Sequence, residues 1–203
     1  MKVTLVDYGA GNVASVERAL QRLGVESLRA GTPDCIEKAE AVLLPGVGHF
    51  AALIRALEER SLRAALLEVL RRGLPFLGVC LGLQALYDSS EEAPDLRGLQ
   101  VLPGQVRALP TRVKLPHMGW NQVRTRRRSR LLEGIAPDAY FYFAHSYAAI
   151  AAEEDADIVA TCTHGTAFTA VLERQNIYAV QFHPEKSGAA GACLLQNFLR
   201  LAV

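Results

Sequence analysis

Apolar residues along this chain change their period several times, and each change marks an element. Val3 to Val6, inside the segment Lys2 to Asp7, is a short aliphatic run closed by charge and predicts a buried strand. Asn12, a residue able to cap a helix, precedes Val13, Val16, Ala19, Leu20 and Leu23, which keep helical spacing until Gly24. Val25 to Arg29 predicts a second strand and Ala41 to Leu44 a third. After Pro45-Gly46-Val47-Gly48, the residues Leu53, Leu57, Leu62, Leu66 and Leu70 predict one long helical region up to Arg72, and Pro75 to Val79 predicts a fourth strand. Strands alternating with helices at this pace build an α/β fold, a parallel sheet with helices on both faces and ligand sites at the carboxyl ends of the strands.

Past Tyr87 the pattern shortens. Gly98, Pro103, Gly104, Pro110 and Pro116 punctuate β-rich pieces at Gln105 to Ala108, Ala139 to Phe143, Ile158 to Thr163 and Ala167 to Leu172. This half reads as more antiparallel. Ile177 to Phe182 returns to a buried-strand pattern, delivers His183, and leads to a last helix with Ala192, Leu195, Phe198 and Leu199 on one side.

Composition adds limits. With 203 residues, half of them hydrophobic, the chain can bury one sizeable core, and a single domain over 1–203 is expected. A net charge of +1 gives no global field to draw nucleic acid or an anionic membrane, so neither is expected as a partner. The uncharged stretch Gly73 to Tyr87 is shorter than the roughly 18 residues a spanning helix needs. Nothing near the N-terminus reads as a signal peptide. Cys35, Cys80, Cys162 and Cys193 lie far apart without a Cys-x-x-Cys pair, which argues against a disulfide framework or a zinc site and for reduced cytoplasmic thiols. Arg124, Arg126, Arg127, Arg128 and Arg130 form a basic run that reads as a solvated loop, because no aromatic residues interleave with it.

Two short segments carry candidate chemistry. A strand entering a helix through Gly-x-nucleophile-x-Gly holds its middle residue in a tight turn. Gly78-Val79-Cys80-Leu81-Gly82 fits that pattern and makes Cys80 a nucleophile at a helix N-terminus. There the partial positive charge favours thiolate, and the Leu81 N–H can face a developing oxyanion. His183 and Glu185, two apart in extended backbone, project to one side, so the carboxylate can fix the imidazole. The order Cys, His, Glu differs from the nucleophile, acid, His order of α/β-hydrolases. Plainer readings stand beside these: Cys80 as a core thiol, and His183 with Glu185 as a turn histidine near a solvated acid. Their joint occurrence at the ends of buried strands favours the catalytic reading. Gly46-Val47-Gly48 is equally a simple turn or a flexible strip completing an oxyanion hole opposite Leu81. Cys35, Cys162, Cys193, His49, His117 and His164 read as packing or surface residues.

Gly-x-Cys-x-Gly-x-Gln with a late His-Pro-Glu resembles the class I glutamine amidotransferase family. Further stretches carry the resemblance over nearly the whole chain: Asp7-Tyr8-Gly9-Ala10-Gly11-Asn12, Leu44-Pro45-Gly46-Val47-Gly48-His49-Phe50, Pro116-His117-Met118-Gly119-Trp120-Asn121, Phe143-Ala144-His145-Ser146-Tyr147 and His183-Pro184-Glu185-Lys186-Ser187. They are similar to glutaminase subunits of the family that serve histidine biosynthesis. The resemblance implies a flavodoxin-like open sheet, mainly parallel, with a more antiparallel β-rich C-terminal half, and no cofactor or metal.

The resemblance further implies that Cys80 attacks the side-chain amide of L-glutamine to give a glutamyl thioester. His183 protonates the departing ammonia and then activates water, while Glu185 orients His183. Gly46, Val47 and Leu81 would form the oxyanion site, and Gly48, Gln84, Ser146 and Tyr147 the glutamine site. The implied partner is a (β/α)8-barrel cyclase subunit that receives the ammonia in a heterodimer and, once liganded, switches the glutaminase on. The Gly46-Val47 peptide would turn in that switch, made mobile by its glycines. Asn12, Met118, Trp120 and Lys186 are the interface candidates, with Trp120 as a core residue the plainer alternative. Rival readings are a glutaminase subunit for anthranilate, purine or pyridoxal phosphate synthesis, a related cysteine hydrolase, and a binding module in which Cys80 is core.

Overall fold

The computed structural model describes residues 2–9, 12–151 and 154–202, so Ala10 and Gly11 of the stretch Asp7 to Asn12 lie outside the described residues. Along the chain, β1 (Val3–Val6) leads to α1 (Val13–Arg22), β2 (Ser27–Ala30), α2 (Pro33–Glu37) and β3 (Ala41–Gly46). Then come α3 (Phe50–Glu59), α4 (Leu62–Arg71), β4 (Phe76–Cys80) and the single turn α5 (Leu81–Gln84). The β-rich part holds β5 (Tyr87–Ser90), β6 (Leu102–Ala108), β7 (His117–Gln122), β8 (Arg124–Thr125), β9 (Tyr140–His145), β10 (Tyr147–Ala149), β11 (Ile158–His164), β12 (Thr166–Arg174) and β13 (Ile177–Val180). A 3₁₀ turn, Pro184–Lys186, and α6 (Gly188–Leu201) follow.

The main sheet runs β2-β1-β3-β4-β13-β12-β11-β8. Its first five strands pair in parallel and the rest antiparallel, which matches the change of texture read from the sequence. Every residue of β1, β3 and β4 is buried, as expected for aliphatic strands covered on both faces. One apolar layer packs α3 and α4 with β5 and β6 on one face. The other packs α1 and α6 with Phe141, Phe143 and Phe182 on the opposite face, where the Phe141 and Phe182 rings stack at 4.1 Å.

Several expectations need correction. The long helical region breaks in two at Ser61, whose φ of 57° is left-handed. The break is visible as a step of five from Leu57 to Leu62, which a continuous helical stripe of threes and fours cannot contain. The second strand starts later than Val25, and α2 is too short for periodicity to reveal. Asn12 occupies the N-cap position of α1, but its side chain makes no capping hydrogen bond. The basic run is not simply solvated. Arg124 lies on the edge strand β8, and Arg127 ties that edge to β12, with Nη1 3.5 Å from Glu173 Oε2 and Nη2 donating to the Glu173 carbonyl at 2.9 Å.

The insertion of β13 between β4 and β12 positions the site. Ile177 to Val180 pair in register with Phe76 to Val79, so the chain leaves β13 toward His183 beside the end of β4, where Cys80 stands.

Candidate active site

Cys80 has φ 56° and ψ −106°, a conformation costly for a residue with a Cβ, and it ends a buried strand at a sharp turn. The surrounding glycines are required by close approach. A Cβ on Gly82 would lie 2.0 Å from the Leu44 carbonyl oxygen, and one on Gly46 would lie 2.6 Å from Leu81 Cβ and 2.8 Å from the Gly82 nitrogen. Gly46 is therefore a packing glycine. Gly48 is the flexible one, with φ 95° and open space around it. The helix expected after Cys80 is only one turn, because the chain turns at once into β5. A macrodipole of that length is small, so the local N–H groups after the elbow matter more than a helix field.

His183 and Glu185 meet, although not through extended backbone. His183 is extended and Pro184–Lys186 forms the 3₁₀ turn, which carries the Glu185 carboxylate back to the ring, Oε1 to Nδ1 at 3.0 Å. The turn is held by the His183 N–H donating to the Tyr142 carbonyl at 2.8 Å and by Ser187 Oγ donating to the His183 carbonyl at 2.6 Å. With Nδ1 engaged, Nε2 is left for the thiol. Burial alone would lower the His183 pKa, but hydrogen bonding to Cys80 and Glu185 and the charge of both raise it to about 10. The charged form of the ring is thus favoured, with Cys80 on one side and Glu185 on the other.

These groups open on a cleft of about 580 Å³ lined by Val47, Gly48, Cys80, Leu81, Gln84, Ser146, Tyr147, His183, Asn12 and Lys186, all singled out from the sequence. Gly46 is not on its wall. Gln84 is buried, and its amide nitrogen donates to the Tyr147 carbonyl at 2.7 Å and to Gln181 Oε1 at 3.1 Å, so it braces the wall.

Met118 and Trp120 lie elsewhere, 65% and 55% exposed on the outer side of β7, which excludes the reading of Trp120 as core. The Trp120 ring meets Tyr142 edge-on at 6.1 Å, and Lys186 Nζ sits 5.6 Å over the Tyr142 ring, so the exposed aromatic patch reaches the rim of the cleft.

Sequence reasoning missed five lining or bracing residues, of which Ala144 only lines the cleft. Glu92 and Ser15 line the cleft, and the Glu92 carboxylate accepts from the Phe50 N–H at 2.7 Å at the start of α3. Gln181 is fully buried with Nε2 3.6 Å from Cys80 Sγ. His145 lines the cleft and bonds His117 at 3.0 Å, so His117 is no incidental packing residue. No local signal marks Ser15 or Glu92, whereas Gln181 directly precedes Phe182-His183 and Ala144 and His145 lie in the stretch Phe143 to Tyr147.

The arrangement is a thiol, an imidazole and a buried carboxylate in series, the first two lining a cleft that carries the Glu92 carboxylate on its wall, an arrangement suited to acyl transfer. A family model described as "Glutamine amidotransferase class-I" matches residues 4–202. The chain is 46% identical over 196 residues to "Imidazole glycerol phosphate synthase subunit HisH" of Moorella thermoacetica, covering 97% of this chain and 93% of that one. It is 46% identical over 200 residues to the protein of the same description from Methanothermobacter thermautotrophicus, covering 98% of each. "Imidazole glycerol phosphate synthase hisHF, chloroplastic" of Arabidopsis thaliana is 43% identical over 200 residues, 97% of this chain and 34% of that one. Among solved structures, "Crystal structure of glutamine amidotransferase" superposes with a TM-score of 0.79 at 19% identity over 98% of each chain, a likeness of fold.

Proposed function

We infer, from the premise that this chain belongs to the class I glutamine amidotransferase family, that it is the glutaminase subunit of an imidazole glycerol phosphate synthase in histidine biosynthesis. It releases ammonia from L-glutamine for a cyclase subunit that forms imidazole glycerol phosphate and an aminoimidazole carboxamide ribonucleotide. The observation that carries the reading is the series of Cys80 and His183 on the cleft with Glu185 buried behind them, its Oε1 3.0 Å from His183 Nδ1.

Cys80 Sγ, as thiolate, attacks the side-chain amide carbon, and the carbonyl electrons move onto oxygen. The Leu81 N–H would donate to that oxyanion, with Val47 also on the wall of the cleft. The amine leaves with a proton from the His183 imidazolium as the carbonyl re-forms, giving ammonia and a glutamyl thioester. Neutral His183 then takes a proton from water, which attacks the thioester and frees glutamate and Cys80. Glu185 holds the ring and stabilises its charged form. Glu92 is the carboxylate available to the substrate ammonium, and the backbone at Ser146 and Tyr147 completes that end of the cleft.

Ammonia protonated in bulk water is lost as a nucleophile, so the cleft should be sealed by a docked (β/α)8-barrel cyclase. The patch of Met118 and Trp120, continuous through Tyr142 with Lys186 and Asn12 at the rim, is the surface offered to it. A related chain in which both subunits are one polypeptide, as the Arabidopsis description indicates, agrees with close apposition. The test is glutamate release from L-glutamine by this chain and its Cys80→Ala variant, with and without the barrel and its nucleotide ligand. Turnover that needs both Cys80 and the liganded barrel is expected. Turnover that persists in Cys80→Ala would overturn the assignment.

A further inference from the structure

The Tyr147 carbonyl can only accept hydrogen bonds, and this fixes the direction of a long buried chain. His145 Nδ1 at 2.9 Å and the Gln84 amide at 2.7 Å both approach that oxygen, so both must donate. A neutral His145 then presents Nε2 as an acceptor, and His117 Nδ1, 3.0 Å away, must be the donor. His117 Nε2 in turn accepts from Asn121 Nδ2 at 3.2 Å, which also reaches the Thr163 carbonyl at 3.3 Å. Burial holds both rings neutral by lowering His117 to about 4 and His145 to about 3, which keeps one donor and one acceptor on each.

In the other direction, the Gln84 nitrogen lies 3.1 Å from Gln181, whose atom there must be oxygen. That choice turns the Gln181 nitrogen to Cys80 Sγ at 3.6 Å. A flipped Gln181 would set a carbonyl oxygen against the thiolate and a donor against the Gln84 donor.

We propose that Gln181 is a further catalytic residue, a fixed N–H donor to the Cys80 thiolate, aimed by the positioning residue Gln84, whose amide nitrogen is itself fixed by the Tyr147 carbonyl. The role rests on the reading of Cys80 as nucleophile. It exists only while sulfur carries charge, because acylation neutralises the sulfur and weakens the bond. β7 alternates, with Met118 and Trp120 outward and His117 and Asn121 inward, so the strand offered to a partner and the nucleophile share one hydrogen-bond network. Besides Gln181, the titratable groups that act around the thiol are His183 and Glu185 after β13, Tyr8 after β1, and His145 on β9 facing His183.

The decisive experiment is the pH profile of iodoacetamide alkylation at Cys80 in the full chain, followed on the Cys80 peptide by mass spectrometry. Gln181→Met keeps length and removes the donor, and its alkylation midpoint should rise by about one pH unit. Gln84→Met removes the donor that holds the Gln181 oxygen away from sulfur, and should raise the midpoint in the same direction by less. A midpoint equal to that of the parent chain in either folded variant overturns the proposal, even where thermal stability has dropped. If Gln181→Met does not fold, Gln84→Met decides alone. Alkylation needs no glutamine, so the result stands or falls separately from glutaminase activity.

Discussion

At the scale of single residues, the site depends on protonation states that burial and partners set in opposite directions. His183 is raised to about 10, so its charged form contributes stability that is fully present below the ordinary value near 6.5 and is lost as pH rises through 10. Cys80→Ala removes one of the groups that raise it and should flatten the alkaline limb of a thermal-stability profile. His117 and His145 are lowered to about 4 and about 3. Between pH 6.5 and 4 the unfolded chain binds protons that the folded one refuses, so the melting temperature should fall on acidification, and less steeply in His145→Phe. Glu185→Gln leaves the turn but takes the charge from the imidazolium, and kcat with the liganded barrel should fall about 10²- to 10⁴-fold with KM little changed. Cys80, His183 and Glu185 were all legible, since each closes a recognisable pattern. The roles of Gln181 and His145 were not, because a buried polar residue is defined by what surrounds it, even when it stands beside a recognised motif.

Among elements, the elbow is where local pattern and packing agree. Gly82→Ala sets a Cβ against the Leu44 carbonyl, backbone against backbone, and should cost about 3 kcal/mol by chemical denaturation. Gly48→Ala meets no atom within 4 Å and should cost about 1 kcal/mol through its positive φ alone, with the larger effect on glutaminase rate. Equal stability losses in the two variants would remove the distinction between a packing glycine and a conformational one. The parallel strands and the longer helices could be read in advance because 4 to 6 aliphatic residues, or a stripe of threes and fours, each have one physical solution. What could not be read were α2, the one-turn α5 and the polar-faced strands β5 and β7, whose conformation is imposed by the pairs they make.

For the whole molecule, the exposed aromatic patch predicts behaviour that no core residue would show. Trp120→Ala should change the melting temperature little, since the side chain is more than half exposed, yet weaken binding of the barrel by about tenfold or more in calorimetric titration. A loss of stability matching the loss of affinity would make Trp120 a fold residue instead. The sequence left Trp120 undecided between core and surface. Its place on the outer side of β7 decides it, and the inner side of the same strand joins the buried network that meets the Cys80 branch at the Tyr147 carbonyl.

The sequence by itself determined the alternation of strands and helices, the tight turn at Cys80, the pairing of His183 with Glu185 and the family to which these motifs belong. The elements and the turn follow from short-range spacing, where sterics and periodicity leave few alternatives, the family follows from the resemblance of its motifs, and the pairing is made by a 3₁₀ turn rather than extended backbone. Only the tertiary structure decided that β13 lies against β4, that residues about a hundred positions apart share one cleft, and that Gln84, Gln181, His145 and His117 face one another out of water. Strand order and the burial of polar groups depend on non-local pairing and on desolvation, and neither leaves a period in the chain.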